Sequence, residues 1–355
     1  MKTLQFLANA PATLPTVTAM YLSELGEARG RQELFTRQSP QKLKVLREHA
    51  LIESAVSSNR IEGVTIDRAR AATVVLGKAA LRDRNEEEVR GYRDALKLIH
   101  EGGPDLPVSE KTIHRLHRIT RGEIWDAGKY KVKDGDIIER YPDGAQRVRF
   151  RTVPAAQTPQ YMSDLVSLWR ESLRERSVPS PVALAAFNLD FLCIHPFRDG
   201  NGRVSRLLLL LQCYRLGMEV GRYISMERLI EENKERYYET LEESSHRWHD
   251  GKHDPWPYVN FVLYTLKTAY REFESRLGQV KSPRGSKTEL VIAAIAHAGK
   301  SFRVSDLLQA CPGVSIDLIR RVLKGLSGEG RVACLGRGQN AEWKRTGKWQ
   351  LGSTH

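Results

Sequence analysis

The stretch His195-Pro196-Phe197-Arg198-Asp199-Gly200-Asn201-Gly202-Arg203-Val204-Ser205-Arg206 decides the fold, because one turn and one helix start hold a base, a carboxylate, two glycines and fixed cations. Upstream, Ser180 and Pro181 read as an N-cap and first turn. Leu184, Phe187, Phe191 and Ile194 follow at spacings of three and four, so a buried helix is expected to deliver His195 at its C-terminal end. Downstream, Val204 to Leu216 is strongly apolar and stops at Gly217, which makes Arg203 and Arg206 first-turn residues on one face of a second helix. The surrounding chain is mainly α by the same reading.

That geometry is an anion site. Glycines allow close backbone approach, successive N–H groups at the loop and helix start can form a nest, and the helix dipole adds positive potential. Arg203 and Arg206 can each clamp a neighbouring phosphate. His195, with an unperturbed pKa of about 6.5, can take a proton from a hydroxyl at neutral pH. Asp199 is a single carboxylate beside a phosphate cradle, the usual way Mg²⁺ is held, with waters and phosphate oxygens completing its shell. Base, metal and cradle together imply phosphoryl or nucleotidyl transfer to a hydroxyl. A plain glycine turn with a solvated arginine pair explains any two of these residues but not all six.

These residues match every defined position of the Fic motif, H-x-F-x-[D/E]-G-N-G-R-x-x-R, so the chain resembles Fic-domain adenylyltransferases. The resemblance implies ATP as substrate and His195 as the base that deprotonates a Ser, Thr or Tyr hydroxyl of a target protein. It implies that Phe197 anchors the loop, Asp199 binds Mg²⁺, Gly200, Asn201, Gly202 and Arg203 hold the α- and β-phosphates, and Arg206 holds the γ-phosphate. The related Doc-type kinases carry a lysine and no glycine at the positions of Gly202-Arg203, which places this sequence on the side of AMP transfer.

Upstream, Leu51, Ala55, Ser58 and Glu62 form a helical stripe that turns polar just before Gly63. An isolated Glu there is normally a boundary residue reaching water. Ser58-Asn59-Arg60-Ile61-Glu62-Gly63, however, matches the inhibitory motif [S/T]-x-x-x-E-[G/N] of Fic proteins with an N-terminal inhibitory helix (class II). The resemblance pairs Glu62 with Arg206, and an arginine so engaged cannot bind a γ-phosphate. It equally permits Glu62 to position a water for AMP removal. Between the two motifs, Asp136 to Tyr141 and Gln146 to Arg151 are joined by Pro142-Asp143-Gly144 and read as a hairpin. Fic proteins carry such a flap over the active site, where it receives a target segment by strand addition. Tyr238, on a predicted helix, resembles the wall of the adenine pocket; its neighbour Tyr237 is not assigned a role.

The net charge is +13, and from Lys281 onward 13 Lys and Arg stand against 5 Asp and Glu, a balance of +8 in about a fifth of the chain. After the linker-like Lys281-Ser-Pro-Arg-Gly-Ser286, the order is helix (Thr288–His297), strand (Phe302–Val304), helix capped by Ser305, turn at Pro312, helix capped by Ser315, and a hairpin around Gly336–Asn340. This resembles a winged helix-turn-helix, an appendage known on some Fic proteins. Arg320, Arg321 and Lys324 on the second helix of the motif and Arg337 at the wing tip suit DNA; winged helices also dock proteins.

The expected layout is therefore an N-terminal helical region with the inhibitory helix (1–84), a Fic helical core with a small β-hairpin flap (85–278), and an α+β winged-helix domain (286–355). Four cysteines without paired spacing, Cys193, Cys213, Cys311 and Cys334, point to reduced thiols. No apolar run approaches the roughly 20 residues of a membrane span. A cytoplasmic location and no membrane partner are expected, with a homodimer left open. The stretch from His246 to Asp254 matches no zinc spacing and reads as a polar loop. The charged stretch Arg82 to Arg90 fits a solvated helix face or an interface equally well. Two functions follow: a self-inhibited AMP-transferase that modifies proteins, itself included, or a DNA-binding regulator whose core senses nucleotide without transfer.

Overall fold

The computed structural model describes the chain apart from residues 1, 10–12, 37–39, 78–79, 141–143, 280–285, 299–300, 312–313, 337–340 and 347–355. It forms two compact units, Met1–Leu277 and Gly278–His355. Unit 1 contains α1 (Lys2–Asn9), α2 (Thr16–Thr36), α3 (Pro40–Ile61), α4 (Ala71–Leu76), α5 (Arg84–Gly102) and α6 (Glu110–Arg121). The strands β1 (Asp136–Arg140) and β2 (Gln146–Arg151) follow, then α7 (Thr158–Glu175), α8 (Ser180–Ile194), α9 (Asn201–Arg215), α10 (Met226–Glu232), α11 (Lys234–Ser245) and α12 (Trp256–Gln279).

The axis of unit 1 is the antiparallel pair α8 and α9. Every residue of α8 from Val182 to Ile194 is buried, and so is nearly all of α9. A helix without a polar face is a core helix, and the others wrap this pair: α7, α11 and α1 pack on α8, and α5, α6 and α3 pack on α9. Trp169 of α7 meets Phe187 of α8 edge-on at 5.7 Å between centroids. Ser180 does not cap α8: Pro179 occupies the cap position, no side chain caps the helix, and Ser180 is its first residue. The start is instead fixed by Pro181 in the first turn, where a missing N–H is harmless.

One buried carboxylate organises the opposite end of the chain. Asp190 of α8 accepts the N–H groups of Thr3 and Leu4 at 3.0 and 3.1 Å and the indole N–H of Trp248 at 2.6 Å. A buried carboxylate at the first turn of α1 complements the exposed donors and positive end of that helix. His253 adds a 2.9 Å hydrogen bond to the Thr3 hydroxyl. The segment from His246 to Asp254 is thus not merely a polar loop. Fully buried Trp248 and buried His253 pin it to the core, and no metal-binding group of His, Cys, Asp or Glu occurs among the described residues.

The strands β1 and β2 pair antiparallel with a bulge between Ile137 and Ile138. Gly144 has φ +86°, as a tight hairpin connection demands; Pro142 and Asp143 lie outside the described residues.

Unit 2 has its own core of Val291, Ile295, Phe302, Leu307, Ile319, Leu323, Leu326 and Val332. Its elements are α13 (Ser286–His297), β3 (Ser301–Arg303), α14 (Val304–Ala310), α15 (Ile316–Gly328), β4 (Val332–Cys334) and β5 (Glu342–Arg345), with an antiparallel sheet ordered β3-β5-β4. Ser315 caps α15 through the N–H of Leu318. Ser305 does not cap α14; Asp306 reaches back to the N–H of Arg303 at 2.8 Å, and the helix starts two residues earlier than a Ser305 cap would place it. Cys193, Cys213 and Cys311 are buried and Cys334 exposed, and no disulfide joins them among the described residues. No helix among the described residues is long and apolar enough to cross a membrane.

Candidate active site

The loop between α8 and α9 is held from three sides. His195 ends α8 in a left-handed conformation (φ 53°, ψ 62°), a region that side-chain-bearing residues seldom occupy. Phe197 is buried and stacks on His117 of α6, with centroids 3.8 Å apart and planes 2° from parallel. Asn201 closes the loop: its Oδ1 accepts the N–H of Phe197 at 2.9 Å and its Nδ2 donates to the carbonyl of the same residue at 2.7 Å. The Asn201 side chain is therefore occupied by the loop, so any phosphate contact from this residue falls to its backbone N–H. Gly200 has φ +83°, which only glycine adopts freely, and no side chain caps α9. The helix start is left open as an anion site.

His195 Nδ1 lies 3.4 Å from the carbonyl of Leu192. With the proton on Nδ1, the Nε2 lone pair is available to accept. Burial, aided by the nearby Lys131 ammonium, pushes the imidazole down to about 4, so it is neutral at physiological pH. For Asp199, burial opposes the charge but Arg121 and Arg203 outweigh it and hold the carboxyl below its usual range. One oxygen accepts the N–H of Gly200 at 2.6 Å and the other pairs with Arg121 at 2.9 Å, while the side chain stays 59% exposed. Because no cluster of three or more ligating side chains exists among the described residues, a cation here must draw most of its shell from phosphate and water. A single accessible carboxylate at a phosphate cradle fits Mg²⁺ on those terms.

Arg203 and Arg206 of α9 are both buried, and each is bound to a glutamate from elsewhere in the fold. Arg203 Nη1 forms a short bond to Glu88 Oε2 of α5 and a 3.2 Å bond to Asn59 Oδ1 of α3. Glu88 also receives Arg121 at 3.3 Å and Arg84 at 3.1 Å. Arg206 donates from Nε to Ser58 Oγ and from Nη2 to the Ser58 carbonyl, both at 2.9 Å, and from Nη2 to Glu62 Oε1 at 2.7 Å. Burial opposes the Arg206 charge, yet Glu62 holds the guanidinium above its ordinary value. Its Nη1 is buried with no hydrogen-bond partner among the described residues. A Cβ placed at Gly202 would collide with the Glu62 carboxylate and sit 3.3 Å from that same Nη1. Glu62 thus lies directly over the glycine of the cradle. It gets there because α3 stops at Ile61, with the N–H groups of Glu62 and Val64 turned back to Asn59 and Gly63 at φ +84°.

Tyr238 is half-buried on α11, with the guanidinium of Arg149 from β2 over its ring at 5.3 Å. Arg149 also donates to the Tyr238 carbonyl in a short bond, joining the hairpin to α11. Tyr237 is buried and meets Tyr238 edge-on at 5.1 Å. A cleft of about 830 Å³, lined by Arg149, Phe150, Glu242 and His249 among others, holds none of the motif residues.

The fold gathers Ser58, Glu62, His195, Asp199, Gly200, Asn201, Gly202, Arg203 and Arg206 in one place. Arg320, Arg321 and Lys324 are exposed on α15 of unit 2, and Arg337 lies outside the described residues. Sequence reading missed Glu88, Arg121, His117, Lys131 and Asn59. The Arg82 to Arg90 stretch is only partly a solvated face: Arg82, Asp83, Arg84, Asn85 and Glu87 are exposed, while Asp83 caps α5, Glu86 pairs with Arg70 at 2.6 Å, and Glu88 turns inward to the site. The available signal was that Glu88 falls one position from Val89 and four from Tyr92, on the margin of an apolar stripe.

The Fic/DOC family model matches residues 107–213. A protein adenylyltransferase Fic of Nematostella vectensis is 24% identical over 271 residues, covering 72% of this chain; the chain spans only 57% of that relative. A Fido domain-containing protein of Dictyostelium discoideum is 38% identical over 124 residues, 32% of this chain and 81% of its own length. Among solved structures, a Fic family protein from Desulfovibrio desulfuricans G20 superposes with a TM-score of 0.60 at 25% identity, over 96% of this chain and 99% of that one.

Proposed function

The chain belongs to the Fic/DOC family, and from that premise and the geometry of the site we propose that it is a protein adenylyltransferase held at rest by Glu62. A target Ser, Thr or Tyr hydroxyl gives its proton to the neutral His195 imidazole as its oxygen bonds to the α-phosphorus of ATP. The bond from that phosphorus to the bridging oxygen breaks, AMP stays on the protein, and pyrophosphate leaves. The open start of α9, from Gly200 to Arg203, holds the α- and β-phosphates, and Arg206 the γ-phosphate. Asp199 would hold Mg²⁺, which supplies neutralisation of the phosphate charge. Tyr238 borders the space for the adenine, and the β1–β2 hairpin serves as the flap that receives the target segment.

The observation that carries self-inhibition is the position of the Glu62 carboxylate, paired with Arg206 at 2.7 Å and placed over Gly202. A γ-phosphate needs the same guanidinium and would meet a fixed negative charge. In this reading residues 1–84 form the inhibitory region and 85–278 the catalytic core. The discriminating experiment incubates wild type, Glu62→Gly and Glu62→Gly/His195→Ala with Mg²⁺ and α- or γ-labelled ATP. Label from α alone, strongest in the single variant and absent from the double, is expected. Label from γ would make the protein a kinase, and no label at all would leave a nucleotide sensor.

For unit 2 the proposed role, over residues 286–355, is a winged helix-turn-helix that contacts DNA. Support comes from the order α13-β3-α14-α15-β4-β5 and from Arg320, Arg321 and Lys324, all exposed on α15; Arg337 joins them by its place between β4 and β5. Arg320→Glu/Arg321→Glu in the full chain should weaken DNA binding and flatten its salt dependence by about one unit of slope for each phosphate no longer neutralised. Unchanged binding would leave unit 2 as a protein-docking module.

A further inference from the structure

We infer that Lys131 is a positioning residue for the catalytic base, clamping the backbone on both sides of His195 and tying it to the foot of the β1–β2 hairpin. The inference rests on the transferase reading of the site. Lys131 lies between α6 and β1, is only 8% exposed, and forms no ion pair among the described residues. A buried ammonium without a carboxylate partner is costly in free energy unless its donors are engaged. Here they are. Nζ donates to the carbonyl of Ile194 at 3.2 Å and to Thr152 Oγ1 at 2.7 Å, while the backbone N–H of Lys131 donates to the carbonyl of Pro196 at 2.9 Å. One residue therefore holds the carbonyls before and after His195, the residue whose backbone is left-handed.

The clamp continues outward. The Thr152 hydroxyl donates in turn to the carbonyl of Gly135 at 2.5 Å, so the residue before β1 and the residue after β2 are fastened together at the point where Lys131 attaches. A target segment that loads the hairpin pulls on the same bonds that fix His195. Lys131 also faces the imidazole electrostatically, as do Glu62 from the end of α3 and Asp199 from the catalytic loop; Asp134 and Asp136 face Lys131 itself. Burial brings the Lys131 ammonium down to about 8, which leaves it charged at neutral pH.

The test compares Lys131→Met, Lys131→Arg and Thr152→Val in the Glu62→Gly protein, reading kcat for AMP transfer, KM for ATP, and the titration of ¹³C-labelled His195 by NMR. Misplacing a reacting group by about 1 Å costs up to roughly 10²-fold. Lys131→Met should lower kcat by about 10- to 100-fold with KM for ATP changed less than about twofold, and should raise the His195 midpoint above about 4 because a facing cation is gone. Lys131→Arg should recover part of the loss, and Thr152→Val, which keeps the ammonium, should show a smaller one. Parental kcat and an unshifted His195 in Lys131→Met would overturn the inference, as would a fall in ATP affinity matching the fall in kcat. Should Lys131→Met fail to fold, Thr152→Val decides alone: parental kcat overturns the clamp and a reduced kcat supports it. If the Glu62→Gly parent transfers nothing, the transferase reading fails while the His195 titration still judges Lys131.

Discussion

Arg203 and Arg206 sit three residues apart on one helix, are equally buried, and each meets a glutamate, one from within a helix and one from the turn after a helix, yet the two pairs are built differently. Glu88 projects from the body of α5, is 11% exposed, and is bound by Arg203, Arg121 and Arg84. Glu62 stands just past the end of α3, is 31% exposed, and holds one arginine through one oxygen. A carboxylate shared by three guanidinium groups cannot leave without stranding buried charge. A carboxylate on a turn, partly open to water, can swing out and be rehydrated. Identical chemistry gives a shared, enclosed pair in one case and, in the proposed function, a removable plug in the other.

The contrast can be broken experimentally. The largest effect should come from His195→Ala in the Glu62→Gly protein, a loss of about 10²- to 10⁴-fold in transfer, as expected when a general base is removed; activity retained there would place the chemistry elsewhere. Next, Glu88→Ala should destabilise the fold by about 3–5 kcal/mol, because Arg203 loses its close counter-charge in a buried setting and Arg121 keeps only Asp199. Equilibrium unfolding in urea reads this directly, and a midpoint like wild type would erase the distinction between the pairs. Glu62→Gly should instead leave the unfolding midpoint nearly unchanged while raising transfer by about 10²-fold, the equivalent of roughly 3 kcal/mol of inhibition. The smallest effect is in pH. Since His195 must be neutral to accept a proton and its pKa lies down at about 4, lowering the pH from 7.5 to 5.5 should change kcat by less than about twofold. An acid limb near 6.5 would mean that the imidazole is not buried against Lys131 in the working enzyme.

How much of this was legible in the sequence depended on whether partners were close along the chain. The α8–α9 turn is a continuous stretch, so helix periodicity and glycine placement locate it without reference to anything distant. Glu62 was found because it sits in a short motif with Ser58. Glu88 was not, because its role exists only when α5 is laid against α9, 115 residues away, and because its neighbours Glu86 and Glu87 make it look like part of a solvated run. Lys131 was invisible for the same reason: a lysine in a loop gives no sign that its ammonium will be buried under a carbonyl of α8. The local misreadings, Ser180 and Ser305, were errors of which nearby residue satisfies a helix start. At α8 no side chain takes the cap and Pro181 fixes the first turn instead, and at α14 Asp306 reaches back to the N–H of Arg303.

The order in which the Glu62–Arg206 pair is made has a consequence for biosynthesis. The two residues are 144 positions apart with the glutamate first, so at about 5–20 residues per second the carboxylate leaves the ribosome roughly 7–30 s before the arginine it will hold. The nascent chain therefore never carries the phosphate cradle without the residue that covers it. If Glu62 inhibits as proposed, a chain whose cover was encoded after the cradle would expose an open site beside the crowded polypeptides of the ribosome exit, whereas here the cover is made first.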